Sequence, residues 1–244
     1  MKYDNIQQAV FHQRPNRFIA ECELEGKIVK AHVRNTGRCR ELLIPGCKVY
    51  LEEDLRSGRK TQHTLIGVEK SGSMINMDSL APNKAFREAI LNGRIQLPGF
   101  GEALTLLKAE TRFGDSRFDF YMESDTQKAF IEVKGVTLEE EGIAMFPDAP
   151  TERGIKHIYE LCRAAKEGYL AYLVFVIQMK KIRYLTPNWA THSAFGEALD
   201  IAKKSGVTIL AYDCYVTADE IRLDKPIEVK IKPDETTSRF TCHK

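Results

Sequence analysis

Hydrophobic and polar residues alternate through the first part of the chain, which is the pattern of short β-strands that bury one face. Residues 17–33 predict a hairpin, in which every second residue from Phe18 to Leu24 lies on one face and Glu25-Gly26 forms the turn. Short strands with glycine-containing turns continue beyond it. This pattern predicts a small barrel or sandwich as a first domain, residues 1–80.

Segments with helical periodicity begin near residue 80 and alternate with strands. Helix 79–93 has Asn83 as its expected N-cap, and Thr151 is the expected N-cap of a second helix. An antiparallel meander leads into helix-connected strands, so we predict an α/β (α+β mixed) fold, a mixed sheet flanked by helices, at 81–231. The polar tail 232–244 is expected to be disordered. The predicted strands are 103–113, 116–122, 129–135, 169–177 and 207–216, with a further helix at 190–204.

Composition and charge place few limits on function. The chain of 244 residues has 43% hydrophobic and 29% charged residues and a formal net charge of +2, which is ordinary for a globular protein. Its N-terminus lacks an apolar signal core, and its longest apolar run, 169–177, is too short to span a bilayer. The six cysteines form no C-x-x-C pair, so we expect reduced thiols. These features predict a cytoplasmic protein with no membrane partner.

Although the net charge is small, basic residues are concentrated in one segment of the chain. From residue 27 to residue 40 the chain has no acidic residue and five basic ones, Lys27, Lys30, Arg34, Arg38 and Arg40. Such a segment contacts phosphates in nucleic-acid-binding proteins, and it equally suits the solvated face of a strand. Both interpretations stay open on this pattern alone. We expect the nearby aromatic residues Phe18 and Tyr50 in the core rather than as platforms on which bases stack.

The predicted strand 129–135, AFIEVKG, carries an acid and a base inside an apolar run. Residues i and i+2 of a strand point to one face, so Glu132 and Lys134 share a face. Asp119 interrupts the apolar pattern of the preceding strand, and a hairpin of the two strands brings it to Glu132. Adjacent carboxylates repel unless a cation lies between them, and oxygen ligands favour Mg²⁺ or Mn²⁺. Lys134 beside such a metal could orient or help deprotonate a water and stabilise phosphate charge.

An Asp, a later Glu-x-Lys and a following helix are the arrangement of metal-dependent nucleases of the PD-(D/E)XK type. Asp119, Glu132 and Lys134 are therefore the candidate catalytic residues, and Asp119, Glu132 and Glu88 are the candidate metal ligands. A structural ion-pair cluster is the alternative for the first three, and a solvated helix face is the alternative for Glu88. A second Glu-Val-Lys stretch, in 227–231, has no helix after it and predicts an exposed edge strand.

Four stretches carry a family resemblance: RFIAECELEGKIVKAHVRNTGRCRELLIPG (17–46), SRFDF (116–120), IEVKGVTL (131–138) and AMFPDAPTERGIKHIYEL (144–161). They resemble the sugar fermentation stimulation protein (SfsA) family over nearly the whole chain. The combination FPDA…TERG.KH after EVK.VTL is the most specific part. The resemblance implies a small OB-like β-barrel followed by a PD-(D/E)XK restriction-endonuclease-like domain.

The resemblance also implies a function and further site residues. Members of the family are described as non-specific DNA-binding proteins with a proposed regulatory link to sugar (maltose) metabolism. The signature helix is expected to face the cleft of Asp119, Glu132 and Lys134. Its residues are Thr151, Glu152, Arg153, Lys156 and His157, with Asp148 before them. The basic segment and the signature helix together give the residues expected to contact the DNA backbone: Arg34, Arg38, Arg40, Arg153, Lys156 and His157.

These observations support a first hypothesis and two others. The first is a DNA-binding protein with a nuclease-like domain that hydrolyses phosphodiesters with Mg²⁺ or Mn²⁺. The second is a non-catalytic, non-specific DNA-binding regulator linked to sugar metabolism, and the third is an enzyme acting on a small sugar phosphate. The choice between DNA and RNA, between single and double strands and between sequences stays open. The oligomeric state also stays open, with a homodimer as one option.

Overall fold

The structure, a computed structural model, describes residues 1–35, 37, 39–55 and 61–232. Residues 233–244 of the tail that we expect to be disordered lie outside this description. The N-terminal part is built from strands. They are β1 (Ile6–Asn16), β2 (Ile19–Leu24), β3 (Lys27–Val33), β4 (Lys48–Glu53), β5 (His63–Lys70) and β6 (Ser73–Asn76).

The first five strands form a closed barrel. They pair in the order β3-β2-β1-β4-β5, and the parallel pairing of β3 with β5 closes the ring. β2 and β3 form the predicted hairpin, with Leu24 paired to Lys27 across the turn. Small and aliphatic side chains such as Ala20, Cys22 and Leu51 are fully buried inside. This closure confirms the OB-like barrel.

The second part of the described chain alternates helices with strands. Its elements are α1 (Ala81–Leu91), β7 (Leu106–Phe113), β8 (Ser116–Glu123), β9 (Lys128–Val136), β10 (Glu139–Glu140), β11 (Ile143–Phe146), α2 (Glu152–Lys166), β12 (Leu170–Ile177), β13 (Tyr184–Pro187), α3 (Trp189–Lys204), β14 (Thr208–Val216), β15 (Ile221–Pro226) and β16 (Glu228–Val229).

A six-stranded mixed sheet lies at the centre of this part, in the order β15-β14-β12-β9-β8-β7. β9, β12 and β14 run parallel, whereas β7, β8 and β9 form the predicted antiparallel meander. α1 packs on the face where Ile131 and Val133 are buried, and α2 packs on the opposite face with Phe130. α3 packs beside α2. The predicted mixed sheet flanked by helices is confirmed.

Short or irregular strands are not predicted by the hydrophobic pattern. The register between β1 and β2 shifts at Gln13, which interrupts the strict alternation of β1. β10 and β11 lie between the predicted strand 129–135 and the helix that Thr151 caps, where no strand is predicted, and they join β13 and β16 in a small second sheet. Strands of two to four residues carry too little alternation to be recognised.

The two helices that border the candidate site begin in different ways. Thr151 caps α2 as predicted, because its Oγ1 accepts a hydrogen bond from the Gly154 N–H at 3.1 Å. Asn83 does not cap α1, so that prediction is wrong. The helix begins at Ala81 with Pro82 in its first turn, a position where the missing N–H of proline costs nothing. Asn83 therefore lies inside the helix, with its side chain directed to β8.

A buried polar cluster joins the barrel to the second part. Asp78, which is fully buried after β6, accepts a hydrogen bond from Arg34 Nη1 at 2.7 Å. The Gln178 side chain donates to the carbonyl oxygens of Asn76 and Asp78, each at 3.1 Å. A Cβ placed on Gly135 would lie 2.7 Å from Gln178 Oε1, so this cluster packs directly against the end of β9. The bonds fix the barrel beside the strand that carries Glu132.

None of the helices in the described part of the chain is long and apolar enough to cross a membrane. The cysteines of the described residues have free thiols. Burial raises the pKa of the Cys22 and Cys39 thiols to about 12, so both are protonated and unreactive near neutral pH. Cys242 lies outside the described residues.

Candidate active site

A polar cavity of about 240 Å³ opens where β8 and β9 diverge, between the first turns of α1 and α2. The two strands pair as far as Phe120 and Ile131, and the ladder stops beyond this pair. Side chains from both strands, both helices and β7 line the cavity. They are Asn83, Glu110, Arg117, Asp119, Glu132, Lys134, Arg153 and His157, together with Ser79, Pro82, Val133 and Gly135.

Asp119 fills the gap between the diverging strands. Its Oδ2 accepts a hydrogen bond from the Val133 N–H at 2.8 Å, and its Oδ1 accepts one from Asn83 Nδ2 at 2.8 Å. The carboxylate is therefore held in orientation from two sides. Burial, and then the negative charge of Glu132, raise the pKa of Asp119 above its ordinary value. A cation between the two carboxylates would remove this penalty.

Glu132 is 3% exposed, and one of its oxygens is shared by two donors. Lys134 Nζ and His157 Nδ1 each lie 2.5 Å from Glu132 Oε1. Burial by itself raises the pKa of Glu132, but the hydrogen bond from His157 and the charge of Lys134 outweigh it and hold the pKa below its ordinary value. The other oxygen, Oε2, is buried without a hydrogen-bond partner. An ionised oxygen buried in this way leaves a position that a cation would satisfy.

His157 is buried and holds Glu132, so it is not exposed for the DNA contact that we expect from the sequence. Its ring stands edge-on to Phe118, with 6.3 Å between the ring centres. Its Nε2 lies 3.5 Å from Nε of Arg153, an exposed residue at the cavity mouth. The imidazole therefore positions the carboxylate from the α2 side.

Glu110 and Arg117 form the outer rim of the cavity. Arg117 Nε lies 2.7 Å from Glu110 Oε2, and both side chains are more than half exposed. Glu110 has a φ of 54° in the middle of β7, opposite Asp119. A left-handed backbone is uncommon for a residue with a side chain, and here it occurs at the edge of the cavity.

The structure brings some of the predicted site residues together and leaves others outside. Lys156 points away from the cavity, with its Nζ 3.5 Å from the Asp115 carbonyl oxygen. Glu152 is exposed and lies 3.3 Å from His192 Nε2. Asp148 is exposed and lies against Gly37. The predicted residues that line the cavity are Asp119, Glu132, Lys134, Arg153 and His157.

Glu88 is not brought to the cavity, in contrast to the expectation that it ligates the metal. Asn83 and Glu88 are five positions apart on α1, which corresponds to a rotation of about 140°, so their side chains point in different directions. Glu88 pairs with the N-terminal ammonium of Met1 and lines a separate cavity with Arg94 and Arg222. The side chain that α1 contributes to the site is Asn83.

The barrel arginines expected to bind DNA lie in different environments. Arg34 is largely buried, bonds to Asp78 and lies 3.8 Å from Glu52, so it serves the junction between the barrel and the second part. Its partner Asp78 is 44 positions away, and no local pattern predicts that pairing. Arg40 is exposed. Arg38 lies outside the described residues.

Three charged or amide side chains of the cavity, Asn83, Glu110 and Arg117, are not predicted as site residues from the sequence. Asn83 is predicted as a helix N-cap, because Asn is favoured at that position, and an N-cap role gives no indication of a site residue. Arg117 stands directly before Phe118 and Asp119 in SRFDF, so the motif that carries the family resemblance contained it. Glu110 carries no local signal, because an exposed Glu in a strand looks like a solvated position.

The residues present fit a divalent cation of the Mg²⁺ type. Within the described ranges, no group of three or more His, Cys, Asp or Glu side chains is arranged as a metal site. This cavity offers two inner carboxylates, Asp119 and Glu132, while the third, Glu110, pairs with Arg117 at the rim. Mg²⁺ is commonly held by one or two carboxylates, while waters and substrate phosphates complete its coordination. The unpaired Oε2 of Glu132 and the raised pKa of Asp119 are both consistent with such an ion.

Comparison with known proteins assigns the chain to a family. Residues 13–77 match the family model described as SfsA N-terminal OB domain, and residues 80–220 match the one described as sugar fermentation stimulation protein RE domain. The chain belongs to the SfsA family.

SfsA-family relatives match this chain along almost their full length. A sugar fermentation stimulation protein homolog of Desulfitobacterium hafniense is 56% identical over 231 residues, covering 95% of this chain and 99% of its own. A homolog from Ruminiclostridium cellulolyticum is 52% identical over 231 residues, covering 95% and 100%. The structure of Pyrococcus furiosus SfsA in complex with Ca²⁺ has a TM-score of 0.84 at 31% identity, covering 94% of this chain and 98% of that one.

Proposed function

We propose that this SfsA-family chain is a metal-dependent nuclease that hydrolyses phosphodiester bonds of nucleic acid. The observation that supports it most is the buried Glu132 carboxylate. One of its oxygens is shared by Lys134 and His157, while the other is buried without a hydrogen-bond partner, and Glu132 lines the cavity together with Asp119. What distinguishes Glu132 from a carboxylate in a purely structural ion pair is the unpaired oxygen together with a second carboxylate, Asp119, whose pKa is raised by burial and by the charge of Glu132. Two neighbouring carboxylates with an unpaired oxygen are the arrangement that a cation would stabilise.

Asp119 and Glu132 are the residues that would hold Mg²⁺ or Mn²⁺. Such a cation supplies Lewis-acid polarisation of a phosphoryl oxygen and lowers the pKa of an attacking water. Asn83 and the Val133 N–H orient Asp119, and His157 orients Glu132, so neither carboxylate has to rearrange to bind. The related Pyrococcus furiosus protein is described in complex with Ca²⁺, which prefers oxygen ligands as Mg²⁺ does.

Lys134 is the residue that we assign to the attacking water. Its side chain is 16% exposed and faces the cavity, and its ammonium is bound to Glu132 Oε1. An ammonium in this position donates hydrogen bonds to a water or to a phosphate oxygen. It also favours the negative charge that develops on the phosphate in the transition state.

Two arginines at the cavity mouth extend the positive charge toward neighbouring phosphates. Arg117 and Arg153 are both exposed and both line the cavity. Arginine binds phosphate oxygens through two parallel N–H groups, and contacts to phosphate carry no sequence information. We therefore propose binding to the nucleic-acid backbone without sequence preference. The location that we propose for this activity is the cytoplasm.

A non-catalytic DNA-binding regulator is the second candidate, and one observation favours it. The curated relatives are named for the stimulation of sugar fermentation, a name that mentions no cleavage. A regulator would use the same cationic cavity mouth to bind DNA without turnover. It predicts DNA binding that persists while cleavage is absent on every substrate.

The experiment that separates the two is a cleavage assay with Mg²⁺ or Mn²⁺ on single- and double-stranded DNA and RNA, beside Asp119→Asn. We expect cleavage that requires the metal, stops with EDTA and is lost in the variant. Cleavage that persists in Asp119→Asn would show that another site is responsible. DNA binding without cleavage of any substrate would contradict the nuclease and support the regulator.

A further inference from the structure

An exposed aromatic side chain lies at the tip of the β1–β2 hairpin, where the sequence predicts a core residue. Phe18 is 43% exposed, whereas Tyr50, the other aromatic residue expected in the core, packs against buried residues. The Arg17 guanidinium lies 4.6 Å from the centre of the Phe18 ring. Arg17 and Phe18 are the two turn residues between Asn16 and Ile19, so both lie at the barrel surface. We call them the hairpin-tip pair.

The backbone of the hairpin-tip pair is held firmly. The Phe18 N–H donates to Asn16 Oδ1 at 2.9 Å, and the Phe18 carbonyl oxygen accepts from the Val33 N–H at 2.8 Å. The Arg14 guanidinium links the tip to the loop after β3. It donates to the carbonyl oxygens of Arg17, Asn35 and Gly37 at 2.6, 2.7 and 2.8 Å. A flat surface that is already ordered loses little entropy when a flat partner binds to it.

The loop after β3 also borders the candidate active site. Its Arg34 carbonyl oxygen accepts a hydrogen bond from Ser79 Oγ at 3.0 Å, and Ser79 lines the cavity that contains Asp119. The path from Phe18 through Val33 and Arg34 to Ser79 is about 10–15 Å, a distance that a few nucleotides of one strand can span. A short path of hydrogen bonds and backbone therefore joins the hairpin tip to the residues that border the cavity.

We propose that the hairpin-tip pair is a stacking platform for a nucleobase of single-stranded nucleic acid whose backbone continues into the candidate active site. Aromatic rings and arginine planes on OB-type barrels bind single strands by stacking on their bases. Bases of a duplex are stacked on one another, so only an unpaired base can reach Phe18. The entry of the strand into the cavity rests on the proposed nuclease, whereas the stacking does not.

A second exposed pair in the chain provides a matched control. Tyr215 on β14 is 39% exposed, and the Arg222 guanidinium lies 4.4 Å from its ring centre. β12 separates β14 from β9 in the sheet, and neither residue of this pair lines the cavity. If any exposed aromatic–arginine pair could bind a base, Tyr215 would do so as well as Phe18.

The experiment measures binding of short labelled oligonucleotides by fluorescence anisotropy in EDTA, where no metal-dependent cleavage occurs. Phe18→Leu keeps an apolar side chain and removes the ring. We expect its affinity for single strands to fall about 5- to 100-fold, while duplex affinity stays the same. Tyr215→Leu is expected to change neither. Comparing the affinities for a DNA and an RNA single strand of the same sequence shows whether the site prefers deoxyribose or ribose.

An abasic oligonucleotide isolates the base from the backbone. Wild type and Phe18→Leu are expected to bind it equally, because it offers nothing to stack. Phe18→Trp is expected to keep the affinity, and its fluorescence, after subtraction of the Trp189 signal, should be quenched by a bound single strand. Melting temperatures confirm that each variant is folded.

The proposal is overturned if Phe18→Leu binds single strands as wild type does, or if it loses affinity for duplex and abasic strands to the same extent. A bound strand that leaves the Phe18→Trp fluorescence unquenched also overturns it. Since no metal is present, these results do not depend on catalysis. A protein that stacks bases but cleaves nothing would retain this inference and lose the nuclease proposal.

Discussion

The chain contains the tripeptide Glu-Val-Lys twice, in two different settings. Glu132 and Lys134 lie on β9, a central strand that pairs with β8 on one side and β12 on the other. Glu228 and Lys230 lie at β16, a strand of two residues at the edge of the small second sheet. Both copies have the i, i+2 spacing that places an acid and a base on one face of a strand, although β16 ends at Val229, before Lys230. The tripeptide itself therefore does not make a site.

The difference between the copies comes from their neighbours. β8 brings Asp119 toward Glu132, and α2 covers Glu132 with His157, so the acid is buried and held. Glu228 is exposed, and Lys230 Nζ lies over the Tyr184 ring, 4.3 Å from its centre. A buried carboxylate with one open oxygen can bind a cation, whereas an exposed carboxylate is satisfied by water. Variants of the second copy can therefore serve as controls for the corresponding variants of the first.

The largest expected effect is on cleavage by the two lysine variants. Lys134→Ala removes the ammonium that we assign to water and phosphate, and we expect a loss of about 10²–10³ in cleavage rate. Lys230→Ala is expected to cleave at the wild-type rate. Initial rates with Mg²⁺ at matched protein concentration measure both. Equal losses in the two variants would show that Lys134 acts only through general charge.

His157→Ala removes a partner that the second copy lacks, and we expect Mg²⁺ affinity to weaken by roughly 10- to 100-fold. The reason is that Glu132 loses the hydrogen bond that orients it and lowers its pKa. The matched control is His12→Ala, since His12 forms an exposed pair with Glu23 at 3.1 Å on the barrel. Titration calorimetry measures both affinities. Unchanged Mg²⁺ affinity in His157→Ala would remove its positioning role.

Asp119 and Glu132 are expected to respond to pH in opposite directions. The raised pKa of Asp119 means that its ionised form lowers the free energy of unfolding at neutral pH, and this cost disappears as the pH falls through the raised pKa. The lowered pKa of Glu132 means that its ionised form stabilises the fold above the ordinary value, and this gain is lost as the pH falls through the lowered pKa.

Two variants test these signs in metal-free protein. Asp119→Asn should raise the melting temperature at pH 7 without metal and remove the stabilisation by Mg²⁺, while Glu132→Gln should lower the melting temperature. Thermal melts between acid and neutral pH measure both. If the metal-free Asp119→Asn variant melts below wild type at pH 7, the hydrogen bonds that Asp119 accepts from Asn83 and Val133 stabilise the fold more than its repulsion by Glu132 destabilises it.

The smallest effect is expected for Glu228→Gln. An exposed carboxylate at a sheet edge contributes little, so the free energy of unfolding should change by less than about 0.5 kcal/mol. Mg²⁺ affinity should not change. Urea denaturation measures the stability and calorimetry measures the Mg²⁺ affinity. A clear loss of Mg²⁺ affinity would indicate that Glu228, in the second tripeptide, ligates the metal.

The cluster of Asp119, Glu132 and Lys134 could be predicted because strand alternation and a hairpin are local rules. The direction of an α1 side chain could not, since it depends on the residue at which the helix begins. A start at Ala81 directs Asn83 to Asp119 and takes Glu88 to Met1. The pairing of Arg34 with Asp78 could not be predicted either, because it depends on how the barrel packs on the second part.

The exposure of Phe18, in the barrel, could not be predicted from the sequence pattern either. Its position alternates correctly with Ala20 and Cys22, yet a two-residue turn places it outside the ladder. Alternation predicts a face only where the strand is regular. The β1–β2 hairpin ends at Asn16 and Ile19, so Phe18 lies in the turn and not in the core.

The most direct measurement is the cleavage rate of Glu132→Gln beside Glu228→Gln, with Mg²⁺ and a nucleic-acid substrate that the wild type cleaves. Both variants remove one negative charge from an identical tripeptide. We expect no detectable cleavage by Glu132→Gln and the wild-type rate for Glu228→Gln. Cleavage by Glu132→Gln at the wild-type rate would contradict the claim that β9, Asp119 and α2 together form a metal-dependent active site.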